Sequence, residues 1–152
     1  MSKKGVILQS SGSAPPESRA RLSWVDVGWS VLLVLVVAVP TMAVEEDWHG
    51  RPMIDQSSHL WLVAAVLVAA AFVAGGAVAG FRRPHAPTAH ATAAASVSVL
   101  ALLAAALIRR FWLVHGHLPH TVVALWGLGA AAALGLSAVG AQIGRRFAHP
   151  PR

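Results

Sequence analysis

Phe72-Val-Ala-Gly-Gly-Ala-Val-Ala-Gly-Phe-Arg-Arg-Pro-His-Ala-Pro-Thr-Ala-His90 decides the fold. Its first half is uncharged and closes a long apolar run. Arg82, Arg83, Pro84 and Pro87 then turn the chain, and Thr88 opens the next apolar run. Two prolines in close succession remove backbone donors and fix φ, so a helix does not continue through this corner. On either side the chain repeats one plan: apolar span, short turn, apolar span.

Working outward, the spans fall at about 24–44, 60–81, 88–108 and 121–144. Each has about twenty residues, the number a helix needs to cross roughly 30 Å of hydrocarbon. Apolar and polar residues do not alternate as a membrane β-barrel requires. A helix is the open-ended structure that satisfies its own backbone in lipid. The sequence therefore predicts an all-α, four-transmembrane-helix bundle over 23–147. Residues 1–22 read as a disordered cytoplasmic tail, because Ser10-Ser-Gly-Ser-Ala-Pro-Pro16 has no period and nothing apolar to bury. Residues 148–152 read as a second, short cytoplasmic tail. Ser23 followed by Asp26 predicts a capping box at the start of the first span, and Ser57 or Ser58 stands where it can cap the second. Pro40 predicts a bend or a frayed end in the first span. A competing reading makes that span a signal peptide cleaved after Thr41-Met-Ala43, although its charged region is long for one.

Composition gives the same answer. The chain is 56% hydrophobic and 12% charged, with a mean hydropathy of +0.62. A soluble domain carries roughly 25% charged residues, and half that share leaves lipid as the solvent. The absence of cysteine excludes disulfides, thiolate nucleophiles and cysteine-based metal or haem attachment. The net charge of +6 comes from Arg and Lys outside the apolar runs, which suits anionic headgroups. These residues lie in pairs beside apolar spans without interleaved aromatics, so the lipid bilayer, and not nucleic acid, is the expected partner. Abundant Ala and an excess of Arg over Lys fit a high-GC bacterial genome.

Lys and Arg also predict orientation. With the N-terminus inside, the inner side holds Lys3, Lys4, Arg19, Arg21, Arg82, Arg83, Arg145, Arg146 and Arg152, and the outer side holds Arg51, Arg109 and Arg110. Both termini are therefore expected in the cytoplasm of a bacterial cell. The Arg109–Arg110 pair runs against the trend. Either Glu45, Glu46 and Asp47 pair with it on the outer face, or both clusters sit in water at headgroup level. A weak internal repeat is also visible. Gly76-x-x-x-Gly80 precedes Arg82-Arg83, and Gly140-x-x-x-Gly144 precedes Arg145-Arg146. Both spans run the same way, so a true repeat would relate two helical hairpins about an axis along the membrane normal. Coincidence among common membrane residues is the other explanation.

The middle of every span lacks Asp, Glu, Lys, Arg and His. Such residues mark proton relays, ion paths and substrate sites in membranes, so the sequence predicts no enzyme and no cofactor. Gly76, Gly80, Gly140 and Gly144 are candidate helix-packing positions, either within the chain or against a partner. His115, His117 and His120, with His49 and His59 on the same side, are the candidate metal ligands. Three imidazoles suffice for an open zinc or copper site, but no carboxylate or cysteine nearby completes a known signature. Ser137 follows Gly135-Leu as in intramembrane serine proteases, but no histidine lies deep in a second helix to act as its base. The tryptophans cluster near span ends, as an aromatic belt does.

The stretch from Gly75 to His90, with Gly140, Gly144, Arg145 and Arg146, resembles a group of small, uncharacterised four-span membrane proteins of actinobacteria. It is more distantly similar to a Gly-rich four-span family of Firmicutes. The group shows a Gly-Gly-rich second span, a basic Pro-x-Ala-Pro corner, a His-Gly at the third span, and a Gly-rich fourth span ending in an Arg pair. The likeness covers about residues 30–147, and His90-Ala91 departs from the His-Gly. It implies an architecture and no activity. Three functions are then expected in order. The first is a non-catalytic packing or accessory protein, as a homo-oligomer or a subunit of a larger complex. The second is a small transporter or channel component for a neutral solute, lined by Ser96, Ser98, Ser137 and Gln142. The third is an outward-facing metal-binding protein using the histidine loop.

Overall fold

The computed structural model describes residues 22–45, 59–114 and 120–148. The expected features at 1–21, in the acidic first loop, at His115 and His117, and at 149–152 lie outside these residues. Four helices carry the described chain: α1 Trp24–Glu45, α2 Leu60–Arg82, α3 Pro87–Ile108 and α4 His120–Ala148. All four are long and apolar enough to cross a membrane. Only 17% to 33% of the most apolar window of each helix is buried inside the bundle. The remainder is outward-facing Val, Leu, Ile and aromatic surface, which no soluble monomer exposes at that scale. The fold is an all-α four-helix bundle of multi-pass membrane type.

The helix ends follow from the local chemistry. At the corner, the Arg83 N–H closes α2 on the Ala79 carbonyl (3.0 Å), and the Ala86 N–H reaches the Arg83 carbonyl (3.1 Å). Pro87 then opens α3 at a first-turn position, where its missing N–H costs nothing. Pro40 lies inside α1, near its end at Glu45. The Thr41 hydroxyl donates to the Val37 carbonyl (2.7 Å) and ties that turn together. Arg109 does not stop the third helix, which runs on as a π-helical turn, Arg109–Val114. Nor do Arg145 and Arg146 stop the fourth, which extends to Ala148. Arginine is a good helix former and its charge suits a helix C-terminus, so a basic pair marks the membrane boundary without breaking the helix.

The helices alternate in direction, so α1 and α3 run one way and α2 and α4 the other. α2 and α3 occupy the middle: each packs on the other, and both pack on α1 and on α4. Among the described residues α1 and α4 do not touch. The core is small in every sense, with Val34, Ala38, Phe72, Ala95 and Ala133 in one cluster and Ala79, Ala91 and Ala141 in another. Exposed Trp24, Trp29, Trp61 and Trp112 sit near helix ends, the headgroup level preferred by amphipathic rings.

Candidate functional site

A bonded cluster of polar side chains lies at one end of the bundle, where α1 and α3 begin and α2 ends. Asp26 lies one turn into α1 with its side chain only 11% exposed. Its Oδ1 accepts from Arg82 Nη1 (3.0 Å) and its Oδ2 from Arg83 Nε (2.7 Å). One carboxylate is thus shared between the two guanidiniums at the end of α2. The Arg82 guanidinium also lies 5.9 Å from the centre of the Trp29 ring, within cation–π range. Trp29 and Asp26 are three residues apart on α1 and share a face. The result is a clasp between the start of α1 and the α2–α3 corner.

His90, buried in the first turn of α3, completes the clasp. The Ser23 N–H donates to its Nε2 (3.0 Å), and its Nδ1 stands 3.0 Å from the Ala86 carbonyl. That pair of contacts requires a neutral ring with the proton on Nδ1. The reciprocal bond of the expected capping box, from the Ser23 N–H to the Asp26 carboxylate, is replaced. The Ser23 N–H that Asp26 would have accepted goes to His90, because the carboxylate makes stronger charge-assisted bonds to the two arginines. Sequence reading placed Asp26 and His90 at the boundary without joining them. The available signal was an Asp one turn inside an apolar helix, with an Arg pair closing the following span at the same membrane face.

Directly above this clasp α2 and α4 cross at backbone contact. A methyl group added at Gly76 would stand 2.8 Å from the Ser137 carbonyl carbon and closer still to its oxygen. Gly80 meets Ala141 in the same way, Gly140 meets Val73 and Gly144 meets Ala77. All four glycines are buried. Each is needed because a neighbouring main chain, and not a side chain able to move, occupies the place of its Cβ. The contacts are reciprocal: a shift of 64 positions takes Gly76 to Gly140, Gly80 to Gly144, Val73 to Ser137 and Ala77 to Ala141. The glycine pairs noted in the sequence thus face each other within one chain, about a local twofold axis between parallel helices.

No family model, curated protein or solved structure matches this chain.

The residues expected to line a solute path differ in their surroundings. Ser98 is buried and donates to the Ala94 carbonyl (2.9 Å), while Ser137 donates across the interface to the Ala91 carbonyl (3.1 Å). Gln142 is exposed and Ser96 half-buried. The Ser137 hydroxyl has no histidine beside it in these contacts and serves to join α4 to α3. Of the candidate metal ligands, His120 opens α4 and His59 precedes α2, while His115, His117 and His49 lie outside the described residues.

Proposed function

We propose that the chain is a non-catalytic, helix-packing protein of the bacterial cytoplasmic membrane, with both termini cytoplasmic, acting as a homo-oligomer or as an accessory subunit of a larger complex. The observation that carries it is the fate of the buried polar groups. Asp26, Ser30, His90, Ser98 and Ser137 all bond to protein atoms: Asp26 to arginines, His90 to main-chain groups and each serine to a carbonyl. A substrate or solute site needs polar groups turned towards the ligand; here Asp26, His90 and Ser137 join one element to another, while Ser30 and Ser98 are bonded within their own helices.

The interaction half of the proposal has its own support. α4 exposes Gly127, Ala131 and Gly135, four residues apart on one face, with nothing within 4 Å of a Cβ at either glycine. Small residues at this spacing let a partner helix approach closely, and none of the described residues lies against either glycine. Gly135→Leu is therefore expected to leave unfolding of the monomer in detergent unchanged or slightly stabilised. It should shift the protein from an assembled to a monomeric form in light scattering and in crosslinking within native membranes. A parent chain that is already monomeric in both, without a crosslinked partner, overturns the reading.

A further inference from the structure

The 64-position shift relates more than the glycines. It carries Asp26 onto His90, Val27 onto Ala91, Ser30 onto Ala94 and Val34 onto Ser98, all of them buried. It also carries Arg82 onto Arg146, within Phe81-Arg82-Arg83 and Arg145-Arg146-Phe147. The two hairpins thus end in arginine pairs offset by one position, with Phe81 matched to Arg145 and Arg83 to Phe147, and the pairs lie near one level, because Gly80 faces Ala141 and Ala77 faces Gly144.

The pairs differ in what neutralises them. In the first hairpin Asp26 holds both arginines. In the second, the position of Asp26 belongs to His90, and both its ring nitrogens are taken by Ser23 and Ala86. Arg145 and Arg146 are exposed. The described carboxylates are Asp26 and Glu45, and Glu45 closes α1 at the opposite end of the bundle. The α4 terminus therefore lacks, among the described residues, the anion that its counterpart has.

We propose that this place is filled from outside, by the phosphate of an anionic phospholipid held between Arg145 and Arg146. Guanidinium forks match phosphate oxygens in a bidentate manner. Any phosphate shares that chemistry, but the surroundings favour a lipid. The arginines sit at the end of a bilayer-length helix, between exposed Ile143 and Phe147, apolar side chains suited to the boundary between headgroup and acyl chain. The inference rests on the membrane placement of the helices and is independent of the accessory role.

Native mass spectrometry of the full chain in detergent tests it, with phosphatidylglycerol, cardiolipin, phosphatidylcholine and inorganic phosphate added separately. The expected result is one retained anionic lipid per chain, no retained phosphatidylcholine and no retained free phosphate. Arg145→Gln with Arg146→Gln should weaken the anionic lipid about 25-fold, from the usual contribution of a basic residue at a membrane surface. Lys3→Gln with Lys4→Gln removes the same charge from the tail and should leave binding unchanged. Equal retention of phosphatidylcholine, or an equal loss in the lysine variant, overturns the site. Equal retention of free phosphate overturns the lipid as its source.

Discussion

Asp26 shows how one side chain sets the geometry of the bundle at its polar end. It is the only carboxylate among the described residues within reach of Arg82 and Arg83, and it binds both. Asp26→Asn removes the charge while keeping the shape. The two guanidiniums are about half exposed, so water recovers part of the loss. The expected cost is about 1–3 kcal/mol, the range for charge-assisted hydrogen bonds, and thermal unfolding in detergent measures it. Adding Arg82→Gln and Arg83→Gln to Asp26→Asn should cost little more, because the interaction is already gone. Additive losses would instead mean that the arginines act through other contacts. Little of this was legible in the sequence: residues 26 and 82 are distant along the chain, and a charge at a span boundary has a ready explanation in solvation alone.

Elements were easier to read than residues. Four apolar runs of bilayer length and a proline corner were enough for four helices and their order, because without the alternation of a β-barrel the helix is the way a backbone satisfies itself in lipid. Helix ends were read less well. Arg109 and Arg145 mark where the apolar run stops, but arginine does not stop a helix, and α4 continues to Ala148. The glycine pairs were visible as motifs, while the surface they face was not. Spacing places Gly76 and Gly80 on one helix face, but only the fold matches that face with Gly140 and Gly144. This pairing yields a graded prediction. Gly80→Ala and Gly140→Ala each press a methyl group into a main-chain carbonyl and should destabilise by about 1–3 kcal/mol, the usual penalty of overpacking. Gly127→Ala meets open space and should stabilise the monomer by up to about 1 kcal/mol through helix propensity. Equal unfolding temperatures for all three variants would mean that α2 and α4 do not cross in this way.

At the scale of the whole molecule, the alternating helices separate the basic residues into two sets. Arg82, Arg83, Arg145 and Arg146 lie at the end where α1 begins, and Arg109 and Arg110 at the other. The sequence expectation for the whole chain counts nine Lys and Arg residues on the first side and three on the second. Positive charge is retained in the cytoplasm during insertion, so the first side should face inward. The outer Arg pair opposes this, but it is outnumbered, and charge close to the first helix usually dominates. Because the chain has no cysteine, single substitutions report orientation without background. Ser57→Cys, in the loop between α1 and α2, should react with a membrane-impermeant thiol reagent on intact cells. Ser13→Cys, before α1, should react only after the cells are opened. Labelling of Ser13→Cys on intact cells, with protection of Ser57→Cys, would reverse the orientation. It would also move the arginine pairs, and the lipid proposed to bind at the end of α4, to the outer leaflet.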